Sequence, residues 1–310
     1  MTEFLYEKIA VLGCGLIGSS IVRAGRAHGV AERIAVFDLS PEVRARVAEL
    51  GIADVVAEDP ARAVEDADLV VLAPPPGAIA AAAEACAPGL KPGATLTDVG
   101  SVKGHIGQSL AGIAPPGVFV VPGHPIAGTE FSGPDAGFPE LFHGRWTILT
   151  PRQSDQPGYD EAVRRLAAFW EGMGAKVELM DERHHDLVLA VTSHLPHLIA
   201  YNIVGTAADL EEVTQNEVMK YSAGGFRDFT RIAASDPVMW RDVFVLNKDA
   251  VLEILARFTE DLQALSRAIR WGEADKLEEL FTRTRAIRRG VIALGQESAE
   301  PNWGRDKDRT

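Results

Sequence analysis

Ile9-Ala-Val-Leu-Gly13-Cys-Gly15-Leu-Ile-Gly18 is an apolar run that ends in Gly-x-Gly-x-x-Gly and passes at once into a helix-like pattern. This is the layout of a strand, a tight glycine turn and a helix whose N-terminus meets a pyrophosphate. The first two glycines let the backbone turn and approach phosphate, Gly18 lets the helix pack on the strand, and free N–H groups at the helix start make an anion site. Glycine turns between strand and helix also occur as plain structure, so the neighbours decide. Arg33-Ile-Ala-Val-Phe-Asp38 reads as a second strand, its last residue about 20 positions beyond the turn, as the fingerprint requires. A carboxylate there accepts from a ribose 2′-OH and repels a 2′-phosphate; the plain alternative is a turn acid that caps a helix. With turn and acid in register, the reading is an NAD site, in preference to NADP, held by Gly13, Gly15, Leu16, Ile17, Gly18 and Asp38.

Outward from this turn, strand-like and helix-like segments alternate, which predicts an α/β doubly wound parallel sheet. The first helix runs from Leu16 to about His28. Ser40 and Pro41 open a second that Gly51 stops. Val55-Val56, Leu69–Leu72, Thr95–Asp98 and Val118–Val121 read as further strands, with helices at 60–65 and 78–87. Pro122 to about Gly144 has no clear period and is rich in Gly and Pro; loops this long in a compact domain are commonly functional. Trp146–Leu149 and Lys176–Leu179 are strands that flank a helix over 160–173. Beyond Asp181 strand signals vanish, and helical periodicity covers 182–210 (with Pro196 inside), 217–221, 237–271 and 273–294. The expected organisation is a dinucleotide-binding domain over 1–180, an all-α domain over 181–295 and a polar tail over 296–310. Long apolar helices of this kind often bury their surplus surface in a dimer.

The chain has 310 residues and a formal net charge of −13, which argues against binding a nucleic-acid backbone. Its two cysteines, Cys14 in the glycine turn and Cys86 in an alanine-rich helix, read as small buried fillers and suit a reducing compartment. The N-terminus lacks the shape of a signal peptide, and no apolar run is expected to span a bilayer. A cytoplasmic protein is expected.

Three stretches carry candidate chemistry. Asp98-Val-Gly-Ser101-Val-Lys103 follows the fifth strand, at the sheet edge where the crevice of an open parallel sheet lies. Ser101 is placed to donate to a substrate hydroxyl and Lys103 to meet an anion; capping of the next helix is an equal reading for Ser101. Gly123-His124-Pro-Ile-Ala-Gly128-Thr-Glu130 follows the sixth strand at the same edge, and His124 there is placed for proton transfer near neutral pH. In the helical half, Arg227 and Arg231 stand at i and i+4 and share a helix face. Two guanidinium groups suit a carboxylate substrate, but on spacing alone a surface cluster with Asp228 and Asp242 is the better reading. His194-x-x-His197 with Asp186 upstream could chelate a metal. No third ligand is fixed by spacing, and Pro196 points to a shaped pocket wall instead, so no metal is expected.

These strings, with Ser193-His-Leu-Pro-His197, Phe226-Arg-Asp-Phe-Thr-Arg-Ile-Ala233 and Asp236-Pro-Val-Met-Trp240, resemble the prephenate/arogenate (cyclohexadienyl) dehydrogenase family in the right order from about residue 8 to 295. The resemblance implies a Rossmann-type domain followed by an all-α helical dimerisation domain, and an NAD-dependent homodimeric enzyme of tyrosine biosynthesis whose substrate is prephenate or arogenate. It implies that His124 is the catalytic histidine bonding the ring 4-hydroxyl, and that Ser101 contacts that hydroxyl and the nicotinamide. Arg231 corresponds to the arginine that binds a substrate carboxylate, and His197, Glu130 and Asp186 to residues around the pocket. No fused chorismate mutase or regulatory domain is expected. A β-hydroxyacid dehydrogenase or imine reductase of the same architecture would leave the His124 loop unexplained, and a complete set of candidate catalytic groups argues against a non-catalytic NAD-binding regulator.

Overall fold

The structure, a computed structural model, describes residues 4–129, 131–209 and 224–293. Contacts divide the chain into two compact units, Met1–Val251 and Leu252–Thr310.

The first unit is built on a sheet of six parallel strands. In chain order the elements are β1 (Tyr6–Leu12), α1 (Leu16–Ala27), β2 (Ala31–Phe37), α2 (Pro41–Leu50), β3 (Val55–Val56), α3 (Pro60–Val64), β4 (Leu69–Leu72), α4 (Ile79–Cys86), β5 (Thr95–Asp98), α5 (Gly104–Ile113) and β6 (Phe119–Val120). The strand order is β3-β2-β1-β4-β5-β6, so the winding reverses between β1 and β4, which opens a crevice at the carboxyl ends of the strands. Successive strand residues face opposite ways. Ile9, Val11, Ile34, Val36, Leu69 and Val71 pack to one side with Ile21 and Val22 of α1, while Ala10, Leu12, Ala35, Val70, Leu72 and Leu96 pack to the other under α4 and α5. Both faces are covered, which is why these strands read as continuous apolar runs. The punctuation of α2 is as expected: the Ser40 hydroxyl accepts from Val43 N, and Gly51 closes the helix at φ +61°. Cys14 and Cys86 are buried free thiols, and burial pushes each up to about 12.

The aperiodic stretch after β6 differs from expectation. It contains β7 (Gly123–Pro125), which with β8 (Trp146–Leu149) and β9 (Lys176–Leu179) forms a separate sheet. β7 runs antiparallel to β8, with His124 opposite Ile148, and β9 runs parallel to β8. A three-residue strand is too short to show a period, and its partner lies more than twenty residues on. Between them, Phe138 N donates to Ser20 Oγ (3.1 Å), so the loop is seated on α1. The helix α6 (Tyr159–Gly172) closes this side with Phe169 and Trp170, both fully buried.

From Glu182 the chain is helical: α7 (Glu182–Leu189), a π turn at Ala190–His194 and α8 (Leu195–Ala208). Pro196 has no N–H and its ring crowds the carbonyl four residues back, so the ladder widens there to the i→i+5 pattern. The uninterrupted run Glu182–Ala208 reaches the length and mean hydropathy of a membrane span, 1.4 with 28% of the window buried. The expectation of no such run is therefore corrected: by composition alone this helix qualifies, although His185, Asp186 and His194 within it are buried in the protein. Next come α9 (Gly224–Thr230), a 3-10 turn at Arg231–Ala234 and α10 (Pro237–Leu246). Asp236 caps α10 by accepting from Met239 N (2.8 Å), and Trp240 and Val243 of α10 join the apolar layer under α4 and α5. The helix expected over 237–271 breaks at Asn247. The second unit holds α11 (Lys248–Trp271), which begins in the first, and α12 (Ala274–Ala293), with Gly272 at φ +66° in the turn between them. The helix expected at 217–221 and the tail over 296–310 lie outside the described residues.

Candidate active site

At the nucleotide end the three glycines divide by role. A Cβ on Gly13 would lie 2.6 Å from the Ala73 carbonyl carbon, and one on Gly18 would lie 1.9 Å from Gly13 O, whereas one on Gly15 meets nothing within 4 Å. Packing therefore requires Gly13, at φ +95°, and Gly18, while Gly15 borders open space. Gly15 is also the N-cap of α1, with no side chain capping it and no acid in the first turn. The first amides, Leu16 to Gly18, thus keep their donors for an anion. Asp38 locks the turn: Oδ2 accepts from Cys14 N (2.7 Å) and Oδ1 from Ser40 N (2.9 Å). Each oxygen retains a lone pair for a ribose hydroxyl. These residues fit a dinucleotide.

At the other side of the crevice, β5 ends in a buried ion pair. The Lys103 ammonium, fully buried, donates to Asp98 Oδ2 and to Gly123 O (2.6 Å). Asp98 also accepts from Gly100 N (2.8 Å) and Gly123 N (3.3 Å). Burial drives the Asp98 carboxyl up and the Lys103 ammonium down, each opposed by the other's charge. Lys103 is therefore not available to an external anion, contrary to the sequence reading. It is a clamp that fastens the β5 loop, with Ser101 in it, to the first residue of β7, directly before His124.

Ser101 does not cap α5. Asp186 does, from 83 residues away, accepting from Lys103 N (2.7 Å) on Oδ1 and from Gly104 N (2.9 Å) on Oδ2. Ser101 is half-buried, and its hydroxyl has no hydrogen-bond partner among the described residues. The resemblance places Asp186 around the pocket as a substrate contact. In the structure both its oxygens are engaged by protein donors, and it is a support for α5 and for the adjacent histidine.

His124 is 9% exposed. Its Nδ1 lies 2.9 Å from His185 Nε2, and His185 Nδ1 lies 2.9 Å from Asp186 Oδ1. The two rings meet edge to face, centroids 5.1 Å apart. Burial, then the neighbouring His185, Lys103 and His194, holds His124 well below the ordinary histidine value. Burial also lowers His185, against the pull of the Asp186 carboxylate. Asp186 itself stays below the usual carboxylate range, because the bonds from His185, Lys103 and Gly104 outweigh its burial.

A second cluster gathers on α8 and α10. His197 stacks on Trp240 at 3.6 Å and 21°, and its Nδ1 meets Ser193 O at 2.8 Å. His194 is buried, with Nδ1 accepting from Asn247 Nδ2 (3.1 Å), and the same amide donates to Asp186 O (2.9 Å). Burial lowers His194 to about 4. With both Nδ1 atoms committed to protein partners, the pair is organised around Trp240. The surface cluster expected for the arginines does not include Arg231: Asp228 pairs with Arg227 and Asp242 with Arg241. Arg231 is exposed at the start of the 3-10 turn, near enough that its charge, after burial, helps to lower His197. Glu130 lies outside the described residues.

The sequence assigns no role to His185, Trp240 or Asn247. A signal for His185 exists: it shares the buried stripe of α7 with Leu189 four residues on, and a polar residue on a buried stripe demands a partner.

Two family models match the chain. The family described as prephenate dehydrogenase, nucleotide-binding domain, matches residues 21–179, and prephenate dehydrogenase, dimerization domain, matches 181–283. The chain is 42% identical over 284 residues to the cyclohexadienyl dehydrogenase of Zymomonas mobilis, covering 92% of this chain and 96% of that one. It is 34% identical to the prephenate dehydrogenase of Bacillus subtilis over 95% of this chain and 78% of the relative. The solved prephenate dehydrogenase from A. aeolicus, in complex with hydroxyphenyl propionate and NAD+, superposes with a TM-score of 0.85 at 33% identity, covering 92% of this chain and 98% of that one.

Proposed function

The chain belongs to the prephenate dehydrogenase family, and from that premise we propose that it catalyses the NAD-dependent oxidative decarboxylation of prephenate, of arogenate, or of both, giving 4-hydroxyphenylpyruvate or tyrosine. The observation that carries this reading is His124, a buried histidine engaged through Nδ1 alone among the described residues and clamped beside the Ser101 loop. The residues that would hold the dinucleotide are Gly13, Gly15, Leu16, Ile17, Gly18 and Asp38, with Ser101 toward the nicotinamide; when bound, NAD supplies the hydride acceptor.

In the reaction, Nε2 of His124 takes the proton of the ring 4-hydroxyl as the carbon–oxygen bond becomes a carbonyl and hydride leaves the same carbon. Carbon dioxide then departs and the ring becomes aromatic. A histidine held neutral well below its ordinary range is always in the basic form at neutral pH, though a weak base. Aromatisation supplies the driving force that such a base lacks, so orientation and carboxylate anchoring are what remain for the protein to provide. Ser101 donates to the reacting hydroxyl. Arg231 takes a substrate carboxylate in its planar fork, and His197 lines the pocket.

The working division is a cofactor half over 1–180 and a substrate and dimerisation half over 181–295. The half-exposed Val191, Ile203 and Val204 on the 182–208 run (49%, 39% and 39%) are read as part of a homodimer face; a monomer by sedimentation velocity would refute that.

The deciding measurement is NADH and NADPH formation with prephenate and arogenate in parallel. NADH formation with at least one substrate is expected, and no turnover of either would overturn the assignment. His124→Asn should lower kcat by about 10²- to 10⁴-fold with NAD affinity unchanged; turnover at the wild-type rate would remove His124 from the mechanism.

A further inference from the structure

We propose that Asp186 and His185 form a positioning relay that holds His124 in a single tautomer, with the proton on Nδ1 and Nε2 bare. The inference deepens the reading of His124 as proton acceptor and rests on it.

The hydrogen-bond chain allows one consistent assignment of protons. Asp186 is surrounded by donors: Oδ1 faces Lys103 N and His185 Nδ1, and Oδ2 faces Gly104 N. Two of these are backbone amides, which can only donate, so the carboxylate is ionised and has no proton to share. The proton in the 2.9 Å contact to His185 therefore sits on His185 Nδ1. A neutral imidazole carries one N–H, and burial disfavours the charged ring, so His185 Nε2 is a lone pair. The 2.9 Å contact from His185 Nε2 to His124 Nδ1 then takes its proton from His124. A neutral His124 so engaged has Nε2 unprotonated, as a proton acceptor requires.

Among the described residues no other side chain hydrogen-bonds to His124 or His185 and competes with the relay. The charged and titratable groups whose fields reach His124 are His185, Lys103 and His194, and those reaching His185 are Asp186, Lys103 and Asp98. Lys103 and Asp98 are closed on each other, and His194 Nδ1 is occupied by Asn247. His184, next in sequence, is exposed and cannot substitute. In the chemical step the substrate O–H bond breaks and the His124 Nε2–H bond forms; once carbon dioxide has left and the ring oxygen is a phenolate, the same proton returns to it, and no proton passes along the relay. The imidazolium so made donates more strongly through Nδ1 to His185, whose own donor bond to a carboxylate makes it a better acceptor. Asp186 and His185 touch neither substrate nor cofactor in this scheme. They are positioning residues.

The test combines spectroscopy and kinetics on the full-length protein. With histidines labelled in nitrogen-15, long-range nitrogen–proton spectra at neutral pH should show His124 as the Nδ1–H tautomer in the wild type, and the same in His185→Gln, whose amide oxygen accepts from Nδ1. His185→Leu removes that acceptor. It should move His124 toward the Nε2–H tautomer and lower kcat by roughly a hundredfold, with substrate KM and NAD affinity unchanged. His185→Gln should keep kcat within about tenfold of wild type, since it preserves the tautomer by the same donor–acceptor rule. A wild-type His124 protonated on Nε2 would overturn the proposal, as would a His185→Leu enzyme at the wild-type rate. Should the Leu variant fail to fold, the wild-type tautomer and the Gln variant decide. If His124→Asn instead turns over normally, the proton-acceptor reading falls while the tautomer measurement stands, so the two failures are distinguishable.

Discussion

Arg231 stands between two readings: a surface ion-pair cluster, by its spacing, and a carboxylate anchor, by the resemblance. On i, i+4 spacing alone it belonged to a surface ion-pair cluster, yet the acids named for that cluster are paired with Arg227 and Arg241. The reason lies in the backbone: α9 ends at Thr230, and Arg231 opens a 3-10 turn, so the two arginines do not share one regular helix face. Arg231→Ala should raise the substrate KM by roughly thirtyfold or more, as expected for leaving a recognised carboxylate unpaired, with the NAD KM unchanged. Steady-state kinetics with each substrate varied in turn decide this, and an unaltered substrate KM would return Arg231 to the surface. His124 and Ser101 were legible as residues, because the strand ends preceding them could be read. Their supports were not: Asp186 reaches α5 across 83 residues, a distance over which no local pattern carries information.

Among the elements, the glycine turn makes the clearest case that one motif holds two kinds of constraint. Gly18→Ala would place a methyl 1.9 Å from Gly13 O, and because that contact is backbone, the helix must shift off the strand. A loss of about 1–3 kcal/mol is expected, as for other overpacked sites, read as a lower midpoint in chemical denaturation. Gly15→Ala meets no protein atom within 4 Å. It should leave the denaturation midpoint within about 0.5 kcal/mol of wild type while weakening NAD, measured by fluorescence titration of NADH. Equal stability of the two variants would contradict this division. The π turn before Pro196 is a different kind of element effect. The helix continues through this point, but the missing N–H of Pro196 shifts the register of His194 and Ser193 relative to the turn before.

At the scale of the whole molecule, the buried histidines tie stability to pH. His124, His185 and His194 all have folded values held below the ordinary 6.5, His194 at about 4. The unfolded chain takes up protons near 6.5 while the folded chain resists them, so this contribution is complete above 6.5 and is lost as pH falls toward the folded values. Within that window each such group costs about 1.4 kcal/mol per pH unit. The melting temperature should therefore drop between pH 6.5 and 4, and His194→Gln should make the slope shallower there. A melting temperature level across that range would show that these rings do not titrate with folding.

Taken by itself, the sequence determined the parallel sheet, its order of strands and helices, the NAD turn and the change to an all-helical second half. Each of these is written in short-range signals: apolar runs, glycine and proline punctuation, and caps within four residues. Only the tertiary structure decided that β7 leaves the main sheet to pair with β8, that Lys103 is a buried clamp, and that Asp186 caps a distant helix while holding His185 against His124. These follow from contacts between segments far apart in the chain. There the need to satisfy buried polar groups selects the partner, and that selection is made only once the backbone has brought the candidates within about 3 Å of one another.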